Sequence, residues 1–497
     1  MLKSRVESQR EAASVSGSRR STRDSRLRWL LTLDPRLSTL SSMSSPSNST
    51  VAGPKRQLGL FDATCIIIGI VIGSGIYKTT PIIAGSVGNA NWLILVWLLG
   101  GAIALMGAMC YAELSTAYPD EGGDYVYLSR AFGRNAGFLF AWAEYWIVRP
   151  GNVGMMAFVF ATFADGLLRT PTSVVAGLRA QVTYAAGAVI VLTILNVLGV
   201  RTGKTTQNIL ATIKVLGLVA IIIVGLFWTP PVSAEVANGA APPSTNFRLA
   251  MILVLFTYGG WNEISYVAAE VRNPERNLMR SLLFGILAIT VLYVLVNLAF
   301  LRSLGLQEMA SSQQVAATLF QKPFGDWGAK AMNLLVCISA LGAINGILFT
   351  GARIYFAVGS DNSLVSWLGK WSGQMDSPVR ALVLQGLISV ALIISFGSYE
   401  GSFERLAYFT TPVYWFFAFM VGISLMVLRW RDSDRPRPHK VWFYPWTPAL
   451  FCLTCAVLCE SGFTYALSQQ PREAAWSVGL MLVGVIIATV FGRDQST

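Results

Sequence analysis

Two places in the 497-residue chain set small residues side by side in the middle of long apolar runs. One run reads Ile66-Ile-Ile-Gly-Ile-Val-Ile-Gly-Ser-Gly-Ile-Tyr77, with Gly73, Ser74 and Gly75 near its middle; the other reads Phe256-Thr-Tyr-Gly-Gly-Trp-Asn-Glu263, with Gly259 and Gly260 together. Each glycine costs a helix about 1 kcal/mol and lets the backbone unwind. Unwinding frees N–H groups at the start of the second half-helix and carbonyls at the end of the first. The N–H groups, at the positive end of the helix dipole, suit a carboxylate; the carbonyls suit an ammonium group. The N–H groups around Ser74 and Gly75, with the Ser74 hydroxyl, are therefore expected to take a carboxylate. The carbonyls of Val71, Phe256 and Gly259 are expected to take an amino group, with Ile72, Gly73 and Gly260 supplying the unwound backbone. A zwitterionic amino acid presents both groups. Gly69-x-x-x-Gly73 is also a close-packing motif, but a second interruption at a corresponding position favours unwinding.

These stretches must be positioned inside a membrane. Hydrophobic residues make up 54% of the chain and charged residues 13%, against about 25% charged in a soluble domain, and the mean hydropathy is +0.54. At about 20 apolar residues per crossing, twelve spans emerge: about 62–83, 92–117, 135–165, 181–199, 206–228, 247–271, 281–302, 327–357, 379–397, 402–428, 443–467 and 474–492. Runs of this length without alternation indicate helices, not a barrel. The two interruptions fall in spans 1 and 6. That spacing predicts two five-helix inverted repeats, spans 1–5 (about 62–228) and 6–10 (about 247–428), whose first helices are discontinuous. The expected fold is an all-α integral membrane protein with 58–430 as its core, 431–497 adding two spans and a short tail, and 1–57 a disordered basic cytoplasmic tail. A start at Met43 would shorten that tail.

The net charge of +12 is a topology signal. With the N-terminus inside, 27 of the 38 Lys/Arg fall on the cytoplasmic side, 11 of them in residues 1–56, as the positive-inside bias requires. Both termini are then cytoplasmic in a multi-pass cell-membrane protein. The excess attracts anionic membrane lipid and implies no nucleic-acid partner. The six cysteines lie in apolar runs and read as packing residues, with no disulfide or metal site expected. The single histidine, His439, lies in a basic loop, so His-dependent catalysis within the membrane has no His to use. No phosphate-binding Gly-x-x-x-x-Gly-Lys-Ser/Thr run occurs. An enzyme is not expected, nor a cofactor.

A set of further stretches joins the two interruptions: Ile-Gly-Ser-Gly-Ile (72–76), Tyr-Ala-Glu-Leu (111–114), Gly-Gly-Asp-Tyr-Val-Tyr-Leu (122–128), Phe-Thr-Tyr-Gly-Gly-Trp-Asn (256–262), Glu-Val-Arg-Asn-Pro-Glu-Arg-Asn (270–277) and Gly-Ala-Ile-Asn-Gly (342–346) with Arg353. Together they resemble the amino acid–polyamine–organocation (APC) superfamily and, within it, the L-type amino acid transporter (LAT) family. The resemblance implies a LeuT-type fold and secondary-active amino acid transport by alternating access, most simply exchange of neutral amino acids. Proton symport and a non-transporting amino acid sensor are the alternatives. It implies that Phe256 gates the substrate and that Trp261 and Asn262 line or support the pocket. It also implies that the Lys214 ammonium stands where sodium-coupled relatives hold an ion, either serving proton coupling or tying span 5 to span 1. Animal LAT light chains carry an outer-loop cysteine for a disulfide to a heavy chain. The corresponding loop, about 166–180, has none, so a disulfide-linked heavy chain is not expected and a stand-alone transporter of prokaryotic type is. The oligomeric state is left open.

Charges at membrane depth are costly and point to function. Lys214 lies ten residues beyond Lys204, about 15 Å along a helix. Glu144 and Arg149 are five apart and on an α-helix project about 140° from each other, so no intrahelical pair is expected; Arg149 should face a cavity or a neighbouring span. Glu263, directly after the second break, is expected to influence the substrate side chain or supply a proton. Glu113, Glu270 and Arg353, nearer the inner side, are expected in gate or structural ion pairs.

Overall fold

A backbone in hydrocarbon must satisfy its own hydrogen bonds, and the apolar runs do so as helices. The computed structural model describes residues 54–168, 174–232, 246–312, 314–397, 399 and 401–491. The expected tail, 1–57, lies outside the described residues except for 54–57. Eleven described helices are long and apolar enough to cross a membrane, from Leu60–Lys78 to Pro471–Thr489. Span 6 is the twelfth and is split between an α-helix, Phe247–Thr257, and a 3₁₀ segment, Trp261–Glu270. Among the described residues the only extended pairings are two isolated bridges, Leu58 with Val271 and Ser372 with Ser377.

Sequence and structure differ at the ends of spans 7 and 8. These helices run on as Pro274–Ser311 and Val315–Asp361, well past the apolar runs, and each bends at a glycine with positive φ, Gly305 (74°) and Gly325 (61°). The stretch after span 2 forms a helix of its own, Asp124–Phe132.

Span 1 packs on spans 5, 7 and 8 and on the second half of span 6. Its apolar window is 67% buried and that of span 8 is 83% buried, against 33% and 28% for spans 11 and 12. The two interrupted helices thus lie at the centre of the bundle, where unwound backbone is tolerated, and the last two spans lie at its periphery.

The end of the bundle where the described chain enters span 1 is closed by polar contacts. The N–H groups of Gln57 and Leu58 donate to the Glu270 carbonyl (2.8 and 2.9 Å), and Arg272 N–H donates to Leu58 O (2.8 Å). Arg353 Nε donates to Glu270 Oε1 at 2.6 Å with both side chains fully buried, and its guanidinium lies over the Phe349 ring. Arg429 Nη2 meets Glu113 Oε2 at 2.5 Å, and the same carboxylate accepts from Val441 N–H. Asp124 Oδ2 accepts from the hydroxyls of Tyr111 (3.0 Å) and Tyr266 (2.7 Å). Glu113, Glu270 and Arg353 therefore form ion pairs, as their positions along the spans predicted.

Removing one member of a buried ion pair strands the other charge at a cost of about 3–5 kcal/mol, whereas replacing both by apolar groups restores much of it. Arg353→Met is expected to lower the thermal-unfolding midpoint in detergent sharply. Adding Glu270→Leu is expected to recover a large part, which differential scanning fluorimetry of the two variants checks.

Candidate functional site

The first break is held open by side chains from three other spans. The helix Leu60–Val71 ends, and Gly75–Lys78 resumes after the non-helical residues Ile72–Ser74. Lys214 of span 5 donates to Gly69 O at 2.5 Å. Tyr293 of span 7 donates to Val71 O at 3.0 Å, which also accepts from Gly73 N–H. Ser339 of span 8 bonds to Ile72 O (3.0 Å) and Gly73 O (3.1 Å). The carbonyls released by the break thus already have partners. The N–H groups of Ser74, Gly75 and Ile76 donate to no partner among the described residues, and the Ser74 hydroxyl there meets only the Met156 sulfur at 3.6 Å.

The second break turns on Gly260, whose φ of +100° lies in the left-handed region that glycine alone adopts readily. A Cβ there would also fall 2.7 Å from Ile70 Cγ2, and one on Gly75 would fall 2.9 Å from Thr257 Cγ2. The two broken helices therefore touch backbone to side chain. Thr79 and Thr257 join them through a hydroxyl contact of 2.8 Å.

Between the breaks lies a cavity of about 110 Å³. Val71, Gly73, Ser74 and Gly75 line it from span 1, and Phe256, Gly259, Gly260 and Glu263 from span 6. Ile72 is fully buried away from it. Trp261 does not reach it either: its ring packs edge-on against Tyr111 (5.1 Å) and Phe451 (6.1 Å). The reason is the 3₁₀ segment, which turns the residue directly after Gly260 to the back of the unwound strand. Asn262 stands one layer behind the wall, accepting from the hydroxyl of cavity-lining Tyr414 at 3.2 Å and donating to Tyr266. Phe256 borders two spaces, the central cavity and an apolar one of about 280 Å³ toward Lys78 and Glu404, which pair at 3.1 Å at the far end.

Ile70 and Thr257 complete the walls from spans 1 and 6, and the other lining residues come from spans 3, 8 and 10: Asn152, Met155 and Met156; Ala343 and Ile347; Thr410, Thr411, Tyr414 and Trp415. Nothing in one apolar helix marks which face meets a cavity built by others. Asn152 in span 3 and the Thr410-Thr411 pair in span 10 were the available signals, since polar side chains inside a span turn to the bundle interior or a cavity.

The charged residues correct one expectation. Arg149 Nε donates to Glu144 Oε2 at 2.5 Å, the intrahelical pair that the 140° separation argued against. Residues Glu144–Val148 form a π turn, and its i→i+5 hydrogen-bond register brings residues five apart onto one face. Arg149 Nη1 also reaches Glu263 Oε2 of span 6 at 2.5 Å, and Thr350 of span 8 donates to that same oxygen at 2.5 Å. The guanidinium lies over the Tyr266 ring at 4.6 Å and passes Gly351, where a Cβ would sit 3.0 Å from Arg149 Cδ. Arg149 thus does face a neighbouring span.

A helical bundle whose first helix in each repeat is unwound at mid-membrane around a small buried cavity is the architecture of a secondary transporter. The sequence matches the family model described as amino acid permease over residues 58–491, and the chain belongs to that family; its activity is the transport of amino acids across a membrane. Among similar proteins, large neutral amino acids transporter small subunit 2 of Mus musculus is 32% identical over 440 residues, covering 87% of this chain and 80% of that protein. The Homo sapiens protein of the same name is also 32% identical, with 79% of its length covered. The b(0,+)-type amino acid transporter 1 of Mus musculus is 30% identical over 450 residues, 88% of both chains.

Gly260→Ala combines a left-handed backbone with a clash on Ile70. Strain of this kind costs about 1–3 kcal/mol, so the variant is expected to unfold at lower temperature in detergent, whereas Gly187→Ala, inside a helix and with nothing within 4 Å of its Cβ, is expected to leave the midpoint unlowered or raise it.

Proposed function

We propose that the protein is a secondary-active exchanger of neutral amino acids working by alternating access, with both termini in the cytoplasm. The observation that carries this reading is the uncommitted N–H groups of Ser74, Gly75 and Ile76 at the edge of the central cavity. They receive the substrate carboxylate, and the carbonyls of Gly259 and Phe256 across the cavity receive its amino group, with Val71 O held in reserve by Tyr293. Neutral side chains suit walls built of Met155, Met156, Ile347 and Trp415, and the mouse and human relatives are named for large neutral amino acids. Phe256, shared by the cavity and the outer space, acts as the gate. The closed entry end, with its ion pairs, is the cytoplasmic gate in its shut state. Lys214 acts as a fixed cation that ties span 5 to span 1.

In this reading residues 58–430 are the moving core, 431–497 contribute the two peripheral spans, and 1–57 form a cytoplasmic tail. The mouse relative is named a small subunit; for this chain, with no cysteine in 166–180, the proposal includes no disulfide-linked second subunit.

Reconstitution into vesicles tests the mechanism. Labelled leucine is expected to enter only vesicles preloaded with a neutral amino acid, at a rate indifferent to an inward proton gradient. Entry into empty vesicles driven by that gradient would make the protein a symporter, and saturable binding with neither kind of entry would make it a sensor. Ser74→Leu, which drives a branched side chain against the free N–H groups, is expected to abolish leucine binding by thermal shift; retained binding would remove the carboxylate site.

A further inference from the structure

Among the described residues lining the central cavity Glu263 is the only charged one, and it is incompletely neutralised. Its Oε2 takes both Arg149 Nη1 and the Thr350 hydroxyl at 2.5 Å, and Oε1 makes no hydrogen bond among the described residues. Arg149 is divided, because the π turn at Glu144–Val148 brings Glu144 onto its Nε. All three side chains are nearly buried, at 3%, 2% and 5% exposed for Glu144, Arg149 and Glu263. Two carboxylates share one guanidinium, and no other Lys, Arg or His comes within 4 Å of either among the described residues. Lys214 is committed to Gly69 O on span 1 and Arg353 to Glu270. Glu263 also lies in the first turn of the 3₁₀ segment Trp261–Glu270, where the helix end favours an ionised carboxylate.

We infer that Glu263 is a specificity-determining residue that admits basic amino acids, its carboxylate receiving the substrate's side-chain ammonium or guanidinium. This inference rests on the substrate orientation proposed above. The α-amino group is seated at the break, by Phe256 and Gly259. Glu263 lies three residues past Gly260 along a 3₁₀ rise, roughly 6 Å deeper, within reach of a flexible four-carbon stem. A buried carboxylate with half a counter-ion gains more from an incoming cation than an exposed one does, because the low-dielectric surroundings strengthen the pairing. Neutral substrates are accepted by the same apolar walls and leave Glu263 with Arg149 and Thr350. The π turn sets the specificity by holding Glu144 on Arg149 and so keeping the cavity one positive charge short.

Arginine and citrulline are nearly isosteric and differ in side-chain charge. In vesicles loaded with unlabelled leucine, each is titrated against exchange of labelled leucine. Arginine is expected to compete at least about tenfold more strongly than citrulline in the wild-type protein. Glu263→Gln is expected to bring the ratio close to one. Glu144→Gln, which returns all of Arg149 to Glu263, is expected to lower the ratio too, although residue 144 does not line the cavity. A wild-type ratio near one, or a ratio unmoved by Glu263→Gln, overturns the inference. The ratio is also measured by displacement of labelled leucine from detergent-solubilised protein, so that a variant defective in reconstitution still gives a value. Wild-type protein that neither exchanges nor binds leucine fails the transport reading; leucine exchange without arginine preference fails the role of Glu263 alone.

Discussion

No peptide group at the middle of a membrane can be left without a partner cheaply, and the rest of this protein is arranged around that constraint. Opening span 1 at Ile72–Ser74 releases carbonyls and amides together, but the protein answers them unequally. Lys214, Tyr293 and Ser339 take the carbonyls of Gly69, Val71, Ile72 and Gly73, and each donor comes from a different span. Among the described residues the amides of the second half-helix have no comparable partner. The break thus has a tied scaffold on one side and unpaired donors on the other, the feature from which the proposed carboxylate site is argued.

The charges follow the same logic of deliberate imbalance. Arg353 and Glu270 match one to one, fully buried, and serve closure. Arg149 is matched one to two, and its second carboxylate faces the cavity. The difference originates in one extra residue per turn at Glu144–Val148, a local irregularity with a consequence for which molecules the site accepts.

Much of this was legible in the sequence because glycine writes its conformational role openly. Gly73, Gly75, Gly259 and Gly260 marked both breaks, and the five-span interval between them carried the repeat architecture. Lys214 was legible because a cation ten residues beyond Lys204, well inside span 5, has few uses. What was hidden had two causes. The pairing of Glu144 with Arg149 and the turning of Trp261 toward Tyr111 depend on π and 3₁₀ backbone, and projections that assume 3.6 residues per turn misplace side chains there. Met156, Tyr414 and Ser339 meet the breaks only through tertiary packing, and one chain's sequence does not reveal which of several equally apolar faces turns inward.

The two interrupted helices are joined at three levels: Leu58 with Val271 at the entry end, Ile70 against Gly260 at the centre, and Thr79 with Thr257 beyond it. With contacts at all three levels, a change in either helix alters the fit of the other. Contacting residues are where mutational effects stop adding. Drift in this region is therefore constrained to correlated steps, with a tolerated enlargement at Gly75 requiring a reduction at Thr257, 182 residues away. The centre of the protein would change over generations by paired exchange between its two halves.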